Sequence, residues 1–191
     1  MQPSTVPRAS NPVVGVLVGA DREAFAAYVA SRSAPLLRTA FLLAGDRQEA
    51  EDLLQTALSR LALAWHRVRE REALDAYVRR TMLRELLSLR RRRRVTALLV
   101  AELPEAPTEL SGVDAETRLL LWQGLRRLPP RQRAAVVLRY VDDLTEVETA
   151  AVLGCAVGTV KSQTSRALAT LRADTGLRDL NPSRISPPEP R

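Results

Sequence analysis

The chain has 191 residues, 46% of them hydrophobic, which is enough to build packed cores in one or two small domains and excludes an intrinsically disordered protein. A net charge of +7 favours a polyanionic partner, while a single cysteine and a single histidine exclude an intramolecular disulfide and a Cys/His zinc cluster. The apolar run at residues 13–20 is too short to span a bilayer, and only Arg8 precedes it, so we expect no signal peptide. These features predict a cytoplasmic protein with no membrane contact, no metal and no cofactor.

The first part of the chain, residues 21–94, has the periodicity of helices. DREAFAAYVA and PLLRTAFLLAG are predicted as two helices, with Pro35 in the first turn of the second and Gly45 after its end. Asp46 and Glu49 then form the N-cap and N3 pair of a further helix. Its apolar stripe consists of Ala50, Leu53, Leu54, Ala57, Leu58, Leu61 and Trp65.

The next predicted helix leads into a dense run of positive charge. Its apolar positions are Leu74, Tyr77, Val78, Thr81 and Met82. Between residues 67 and 94, eleven arginines stand against four carboxylates. The block of five arginines at 90–94 is compatible with a solvated charge run or with nonspecific phosphate contact, and its sequence does not choose between them.

Residues 95–113 reverse the charge and contain Pro104, Pro107 and Gly112, which predicts an acidic linker. It separates the first unit, residues 21–94, from a second unit, residues 114–173. We expect residues 1–20 to be a disordered extension and residues 174–191 to be a mobile tail, because both combine proline with few bulky side chains. No alternating strand pattern occurs, so the predicted fold is all-α with two small helical domains.

The second unit has the pattern of a helix-turn-helix. Pro129 and Pro130 separate two helices, and Thr145 with Glu148 forms a capping box that opens the next one. Gly154 ends that helix, and a short turn leads into a last helix beginning near 157. In such motifs the second helix enters the major groove of DNA.

The last helix has a polar face suited to base pairs. Its apolar stripe comprises Val157, Val160, Thr164, Ala167, Leu168 and Leu171. Lys161 and Arg166 can meet phosphate or guanine, and Gln163 can pair with adenine. Thr159 and Ser162 are short enough for close approach to the groove.

YVDDLTEVETAAVLGCAVGTVKSQTSRALATLR resembles region 4 of RNA polymerase sigma factors of the extracytoplasmic-function type, and GDRQEAEDLLQTALSRLALAW resembles their region 2. YVRRTMLRELLSLRRRRR is most similar to the SigE-like subgroup of that family. The resemblance implies a factor that binds the clamp helices and the flap of bacterial core RNA polymerase, recognises promoter DNA, melts it and starts transcription. An anti-sigma factor is a further partner that the resemblance allows.

The resemblance also implies which residues do this. In region 2, the polymerase-binding face would comprise Glu51, Asp52, Gln55 and Ser59. The minus-10 element would meet the loop from His66 to Glu72 and the helix after it, through Arg67, Arg69, Arg71, Arg79, Arg80 and Arg84. In region 4, Thr159, Lys161, Ser162, Gln163 and Arg166 would read the minus-35 element.

The chain departs from the family pattern at several positions. Arg84 replaces the asparagine usual in the melting helix, and Leu86 and Leu89 replace aromatic residues, which reduces the capacity to stack bases. Ala156 stands where a serine usually caps the recognition helix.

Two other classes of protein compete with a sigma factor. A free-standing helix-turn-helix regulator would account for the second unit, but it leaves the acidic face and the arginine-rich helix of the first unit without a role. An enzyme acting on nucleic acid would need clustered carboxylates or a His/Cys metal site, which the sequence does not offer, so we expect no enzyme.

Overall fold

The computed structural model describes residues 17–68, 71–96 and 115–173. They form seven α-helices and no strand: α1 (Ala20–Ala44), α2 (Arg47–Ala64), α3 (Arg71–Thr96), α4 (Ala115–Arg127), α5 (Pro130–Tyr140), α6 (Glu146–Leu153) and α7 (Val157–Ala173). A 3-10 turn, Trp65–Arg67, follows α2. The all-α prediction is therefore confirmed. The predictions of a mobile N-terminal extension, an acidic linker and a mobile tail fall almost entirely outside the described residues.

The prediction of two helices before Gly45 is wrong, because α1 runs without a break through Pro35. A proline inside a helix removes one backbone hydrogen bond and usually costs about 3 kcal/mol or more. Here both halves of the helix pack into the same core, with Phe25 and Tyr28 before the proline and Leu36 and Leu43 after it. Burial of both halves keeps the helix continuous despite the missing bond. Gly45 ends it, as predicted, with a left-handed backbone (φ 84°).

The other predicted helix ends are confirmed. The carboxylate of Asp46 accepts a hydrogen bond from the backbone N–H of Glu49 at 2.7 Å, which caps α2. Thr145 and Glu148 make the reciprocal bonds of a capping box at the start of α6. The bonds from Thr145 lower the pKa of Glu148 below its usual value. Gly154 ends α6 at φ 63°, where a residue with a Cβ would be strained.

The helices of the two predicted units share one hydrophobic core. α1, α2 and α3 pack around side chains that are almost fully buried, and Trp122, Ala134 and Val137 from α4 and α5 belong to the same cluster. The rings of Trp122 and Phe41 stack with their centroids 6.2 Å apart. A second, smaller cluster of Leu128, Val136 and Ala167 holds α7 against α5. The helix-turn-helix is thus fixed to the first unit through α4 and α5, and α6 also packs directly against α3.

The recognition helix lacks a side-chain cap at its first turn. Ala156 occupies the N-cap position, since its carbonyl accepts the backbone N–H groups of Thr159 and Val160 at 2.9 and 3.2 Å. We expect Ala156→Ser to raise the free energy of unfolding by about 0.5–1 kcal/mol, because a serine hydroxyl at an N-cap accepts one unpaired N–H. Urea denaturation followed by circular dichroism measures this. Ala169→Ser, at an exposed position inside α7, is the control and should bring no gain.

Candidate nucleic-acid and polymerase interface

The predicted reading face of α7 lies on the surface. Val160 and Ala167 are buried and hold the opposite face against the protein. Lys161, Ser162 and Arg166 are exposed, while Thr159 and Gln163 are half-buried beside them. The structure therefore leaves all five predicted side chains at least partly accessible to solvent, on a helix that is anchored through Val160 and Ala167.

Two local contacts influence this face. The Ser162 hydroxyl donates to the carbonyl of Thr159 at 3.0 Å, within the helix. The Lys161 ammonium lies 3.6 Å from the carboxylate of Glu146 on α6, and the lysine side chain is 64% exposed. An ion pair this exposed is weak, so Lys161 remains available to a phosphate.

The predicted minus-10 residues fall into three groups. Arg67, Arg80 and Arg84 are exposed. Arg69 lies outside the described residues, and Arg71 begins α3 with a side chain that the structure does not describe. Arg79 is buried, with 8% of its surface accessible, and therefore faces the protein interior in this arrangement.

A groove runs beside the exposed arginines. It has a volume of about 550 Å³ and is lined by Arg67, Val68, Ala73, Ala76, Tyr77 and Arg80 from the first unit and by Ala151 and Val152 from α6. Its lining is mostly apolar, and the guanidinium groups of Arg67 and Arg80 add positive charge. Apolar surface with flanking positive charge suits an unstacked base and its phosphate.

Arg79 belongs to a buried ionic network. Its Nε donates to Asp142 at 2.6 Å, and its Nη1 lies 3.5 Å from Asp75. Asp75 also accepts hydrogen bonds from Tyr28 and Arg32 on α1. Burial alone would raise the pKa of Asp75, but these bonds and the nearby arginine charges outweigh it and hold the pKa below its usual value. The network joins α1 and α3 to the segment after α5.

A second polar contact between the units lies at the carboxyl end of α1. Arg133 of α5 donates to the carbonyls of Leu43, Arg126 and Leu128 at 3.1, 2.7 and 3.4 Å. Arg90 of α3 donates to the carbonyls of Leu43 and Ala44. Burial, together with the charges of Arg90 and Arg126, lowers the pKa of Arg133 to about 10. Carbonyls at a helix end attract cations, so these arginines fasten α3 and α5 to α1.

The predicted polymerase face on α2 is open to solvent. Glu51, Asp52 and Gln55 are exposed, and Ser59 is half-buried. Arg47 pairs with Glu51 at 2.9 Å, and Gln48 donates to Asp52 at 3.3 Å, both across one helical turn. The apolar stripe of α2 is buried on the opposite side. All four predicted residues thus share a face that no other described helix covers.

Asp142 and Arg133 were not singled out from the sequence. For Asp142, the available signal was the pair of carboxylates, Asp142 and Asp143, that directly follows an apolar helix. Their partners lie far away along the chain, 63 residues for Asp142 and Arg79, and 90 for Arg133 and Leu43. The periodicity of a single helix does not predict contacts between residues that lie so far apart along the chain.

Two classes of feature are absent from the described part of the chain. Among residues 17–68, 71–96 and 115–173, no helix is both long enough and apolar enough to cross a bilayer. Within the same ranges, no group of three or more His, Cys, Asp or Glu side chains is placed to hold a metal ion.

Comparison with known proteins agrees with this architecture. Residues 24–96 match the family Sigma-70 region 2, and residues 118–171 match Sigma-70, region 4. RNA polymerase sigma-E factor of Streptomyces coelicolor is 41% identical over 157 residues, covering 82% of this chain and 89% of that protein. ECF RNA polymerase sigma factor SigM of Mycobacterium tuberculosis is 32% identical over 169 residues, covering 86% of this chain and 83% of its own length.

A solved structure has the same fold. The sigma factor RpoE of Bartonella quintana, in complex with the anti-sigma factor NepR, superposes with a TM-score of 0.68 at 24% identity, covering 83% of this chain and 99% of that one. The chain matches region 2 and then region 4 in the family's order, and the curated relatives align with it over most of their length. Together these matches assign the family. The chain belongs to the extracytoplasmic-function family of RNA polymerase sigma factors, which direct promoter recognition and transcription initiation.

Proposed function

We propose that this sigma factor uses separate surfaces for polymerase docking, for capture of the melted strand and for reading duplex DNA. The exposed polar face of α2 docks on the clamp helices of core polymerase, and the second unit docks on the flap. The arginines of α3 and Arg67 hold the melted minus-10 strand, and α7 reads the minus-35 element as duplex. The observation that carries this proposal is the separation of an acidic face, an arginine-lined groove and a mixed polar recognition face on different helices.

The minus-35 role is supported by the chemistry of α7. Gln163 and Arg166 lie one helical turn apart on a side that solvent reaches. Glutamine pairs with adenine through two hydrogen bonds, and arginine pairs with guanine in the same way, which together can specify sequence. Lys161 adds a phosphate contact that positions the helix without reading bases.

The minus-10 role is supported by the groove beside α3. Tyr77 and the small side chains Ala73 and Ala76 offer an apolar surface, and Arg67 and Arg80 flank it. A strand held there would bind mainly through charge and through contact with the bases. Leu86 is fully buried and Leu89 half-buried, so neither presents a stacking surface in place of the family's aromatic residues.

The polymerase-docking role of α2 leads to a direct prediction. We expect Asp52→Ala with Gln55→Ala to weaken binding to core polymerase about tenfold, because interface residues at the centre of a contact dominate its affinity. Helicity should hardly change, since both side chains lie off the buried stripe. Fluorescence anisotropy of labelled factor titrated with core measures the affinity.

Glu23→Ala is the matched control, because it removes an exposed carboxylate from α1 instead of α2. It should leave core affinity within about twofold of the wild type, as exposed positions outside an interface usually do. Equal affinities for the double variant and this control would exclude α2 as the docking surface.

The overall proposal is tested by in vitro selection of promoter DNA with reconstituted holoenzyme. A sigma factor yields promoters with two conserved elements, and thymines near minus-10 in those promoters become reactive to permanganate. A free-standing regulator would bind a single duplex element with no polymerase and no permanganate reactivity. That outcome would favour the free-standing regulator over the sigma factor.

The family itself bears on three further points. Sigma factors are not an enzyme class, and we propose no catalytic residue for this chain. We place its action in the cytoplasm, where core polymerase acts. The matched Bartonella quintana structure is a complex with an anti-sigma factor, which supports an anti-sigma protein as a further partner of this chain.

A further inference from the structure

The predicted DNA-reading helix α7 forms an ion pair with the helix that precedes it. The Lys161 ammonium lies 3.6 Å from a carboxylate oxygen of Glu146, in the first turn of α6. The lysine side chain is 64% exposed and the glutamate side chain 39% exposed, so a ligand can reach both charges. The pair therefore places a negative charge beside the one lysine of the chain, on the helix proposed to meet duplex DNA.

The start of α6 is capped without Glu146. The Thr145 N–H donates to the Glu148 carboxylate at 2.7 Å, and the Glu148 N–H donates to the Thr145 hydroxyl at 3.2 Å. A carboxylate in the first turn of a helix interacts favourably with the helix dipole, and Glu148 already supplies one. Glu146 takes no part in this capping box, and its ion pair crosses to α7. Capping of α6 therefore does not explain why the Glu146 side chain lies against Lys161.

The capping box also occupies a place where a helix can bind phosphate. Free N–H groups at the N-terminus of a helix attract phosphate oxygens. In α6 the carboxylate of Glu148 lies there instead, and it repels a second anion. Near this helix start, Lys161 is the cation placed to bind a DNA phosphate, and Glu146 is the anion that lies against it.

We propose that Glu146 competes with DNA phosphates for Lys161, and that this competition keeps the sequence-independent affinity of α7 for duplex DNA low. Phosphate contacts supply nonspecific binding, whereas base contacts specify sequence. A lysine that leaves a carboxylate in order to meet a phosphate gains less from that contact than an unpaired lysine would. This inference rests on the proposed minus-35 role of α7.

The competition acts alike on every DNA sequence. All duplexes present the same phosphates, so Glu146 weakens binding to each of them by about the same factor. A factor held only through phosphates is then released readily, while one that also makes bidentate base contacts through Gln163 and Arg166 stays bound. Glu146 therefore leaves the preference between sequences unchanged and lowers the occupancy of DNA that lacks the minus-35 element.

Glu146→Gln in the full-length chain is the test, because it removes the charge and keeps the shape of the side chain. Asp143→Asn is the matched control: Asp143 is exposed, lies three residues earlier in the same unit and has a positive φ of 54° that asparagine tolerates. The probes are fluorescein-labelled duplexes of about two helical turns, one with the selected minus-35 element and one scrambled. Anisotropy titrations at several salt concentrations give the affinity and its salt dependence.

We expect Glu146→Gln to bind the scrambled duplex about threefold more tightly than the wild type, which is the size of a typical exposed ion pair. The slope of log affinity against log salt should steepen by up to about 0.9, because one more phosphate is fully neutralised. Affinity for the selected duplex should rise by the same factor. Asp143→Asn should stay within about 1.5-fold of the wild type, since the carboxylate paired with Lys161 is that of Glu146.

Lys161→Ala separates competition for the lysine from general repulsion of DNA. In that background, Glu146→Gln should change duplex affinity no more than Asp143→Asn does, because the competition needs the lysine. An undiminished gain without the lysine would overturn the competition, and so would equal affinities for Glu146→Gln and the wild type. A changed preference at one base pair of the element would also overturn it, because the Glu146 carboxylate would then be reading a base.

Lys161→Ala alone distinguishes this inference from the proposed minus-35 role. We expect it to reduce the salt slope by about one, as loss of a phosphate contact does. If Lys161→Ala does so while Glu146→Gln changes nothing, only the competition is overturned. If Lys161→Ala leaves both the duplex affinity and its salt slope unchanged, the proposed phosphate contact of α7 is overturned, and the competition with it.

Discussion

Replacing Gln163 and Arg166 with alanine is expected to flatten the sequence preference at the minus-35 element while leaving promoter melting intact. Each side chain can make a bidentate contact with a base, and losing such a contact costs about 1–3 kcal/mol of discrimination. The preference for the selected duplex over a scrambled one should therefore fall by about thirtyfold or more when both side chains are removed. Competition between selected and scrambled minus-35 duplexes, measured with the holoenzyme, gives the loss directly.

The reciprocal variant, Arg80→Ala with Arg84→Ala, is the control for that experiment. Both arginines are exposed on α3, a different helix from α7. The two alanine substitutions should reduce open-complex formation and the resistance of the open complex to salt, because fewer positive charges hold the displaced strand. Minus-35 discrimination should survive. If either double variant changed both minus-35 discrimination and open-complex formation, duplex reading and strand opening would not be separate tasks of the two units.

Trp122→Ala is expected to have the largest effect on stability. Trp122 is 2% exposed, stacks on Phe41 and lies under the guanidinium of Arg126 at 4.7 Å from the ring centroid. Truncating a buried tryptophan usually lowers the free energy of unfolding by about 3–5 kcal/mol. Because the ring joins the cores of both units, we also expect thermal unfolding to change from one transition towards two.

Differential scanning calorimetry measures both effects. Leu63→Ala is the matched control, since this large apolar side chain lies on α2 with 64% exposure. Its replacement should change stability by less than about 0.5 kcal/mol, as is usual at surface positions. A Trp122→Ala protein that melts like this control would refute the shared core.

Local features of the fold were predictable from the sequence because their causes are local. The Asp46–Glu49 cap and the Thr145–Glu148 box each involve residues three positions apart, and both are present as predicted. The same holds for the apolar stripe of α2, whose members are spaced at helical intervals and are buried with the exception of Trp65, which is partly buried.

Contacts between distant segments were not predictable in this way. Pro35 indicated a helix start, but packing of both halves of α1 into one core overrode that signal. Arg79 and Arg80 are neighbours of the same type, yet one is buried and the other exposed. Helical spacing places Arg79 on the side of the buried Met82 and Leu86, and Arg80 on the side of the exposed Arg84. The ion-pair partner of Arg79, Asp142, lies 63 residues further along, and no pattern within α3 identifies it.

The shared core also has a consequence for synthesis on the ribosome. Phe41 emerges 81 residues before Trp122, the ring that covers it, and at about 5–20 residues per second the delay is on the order of ten seconds. In that interval α1, α2 and α3 can fold, and Arg90 can already bond to the last carbonyls of α1. What the nascent chain leaves uncovered is an aromatic patch on a helix, without the unpaired strand edges that recruit other chains.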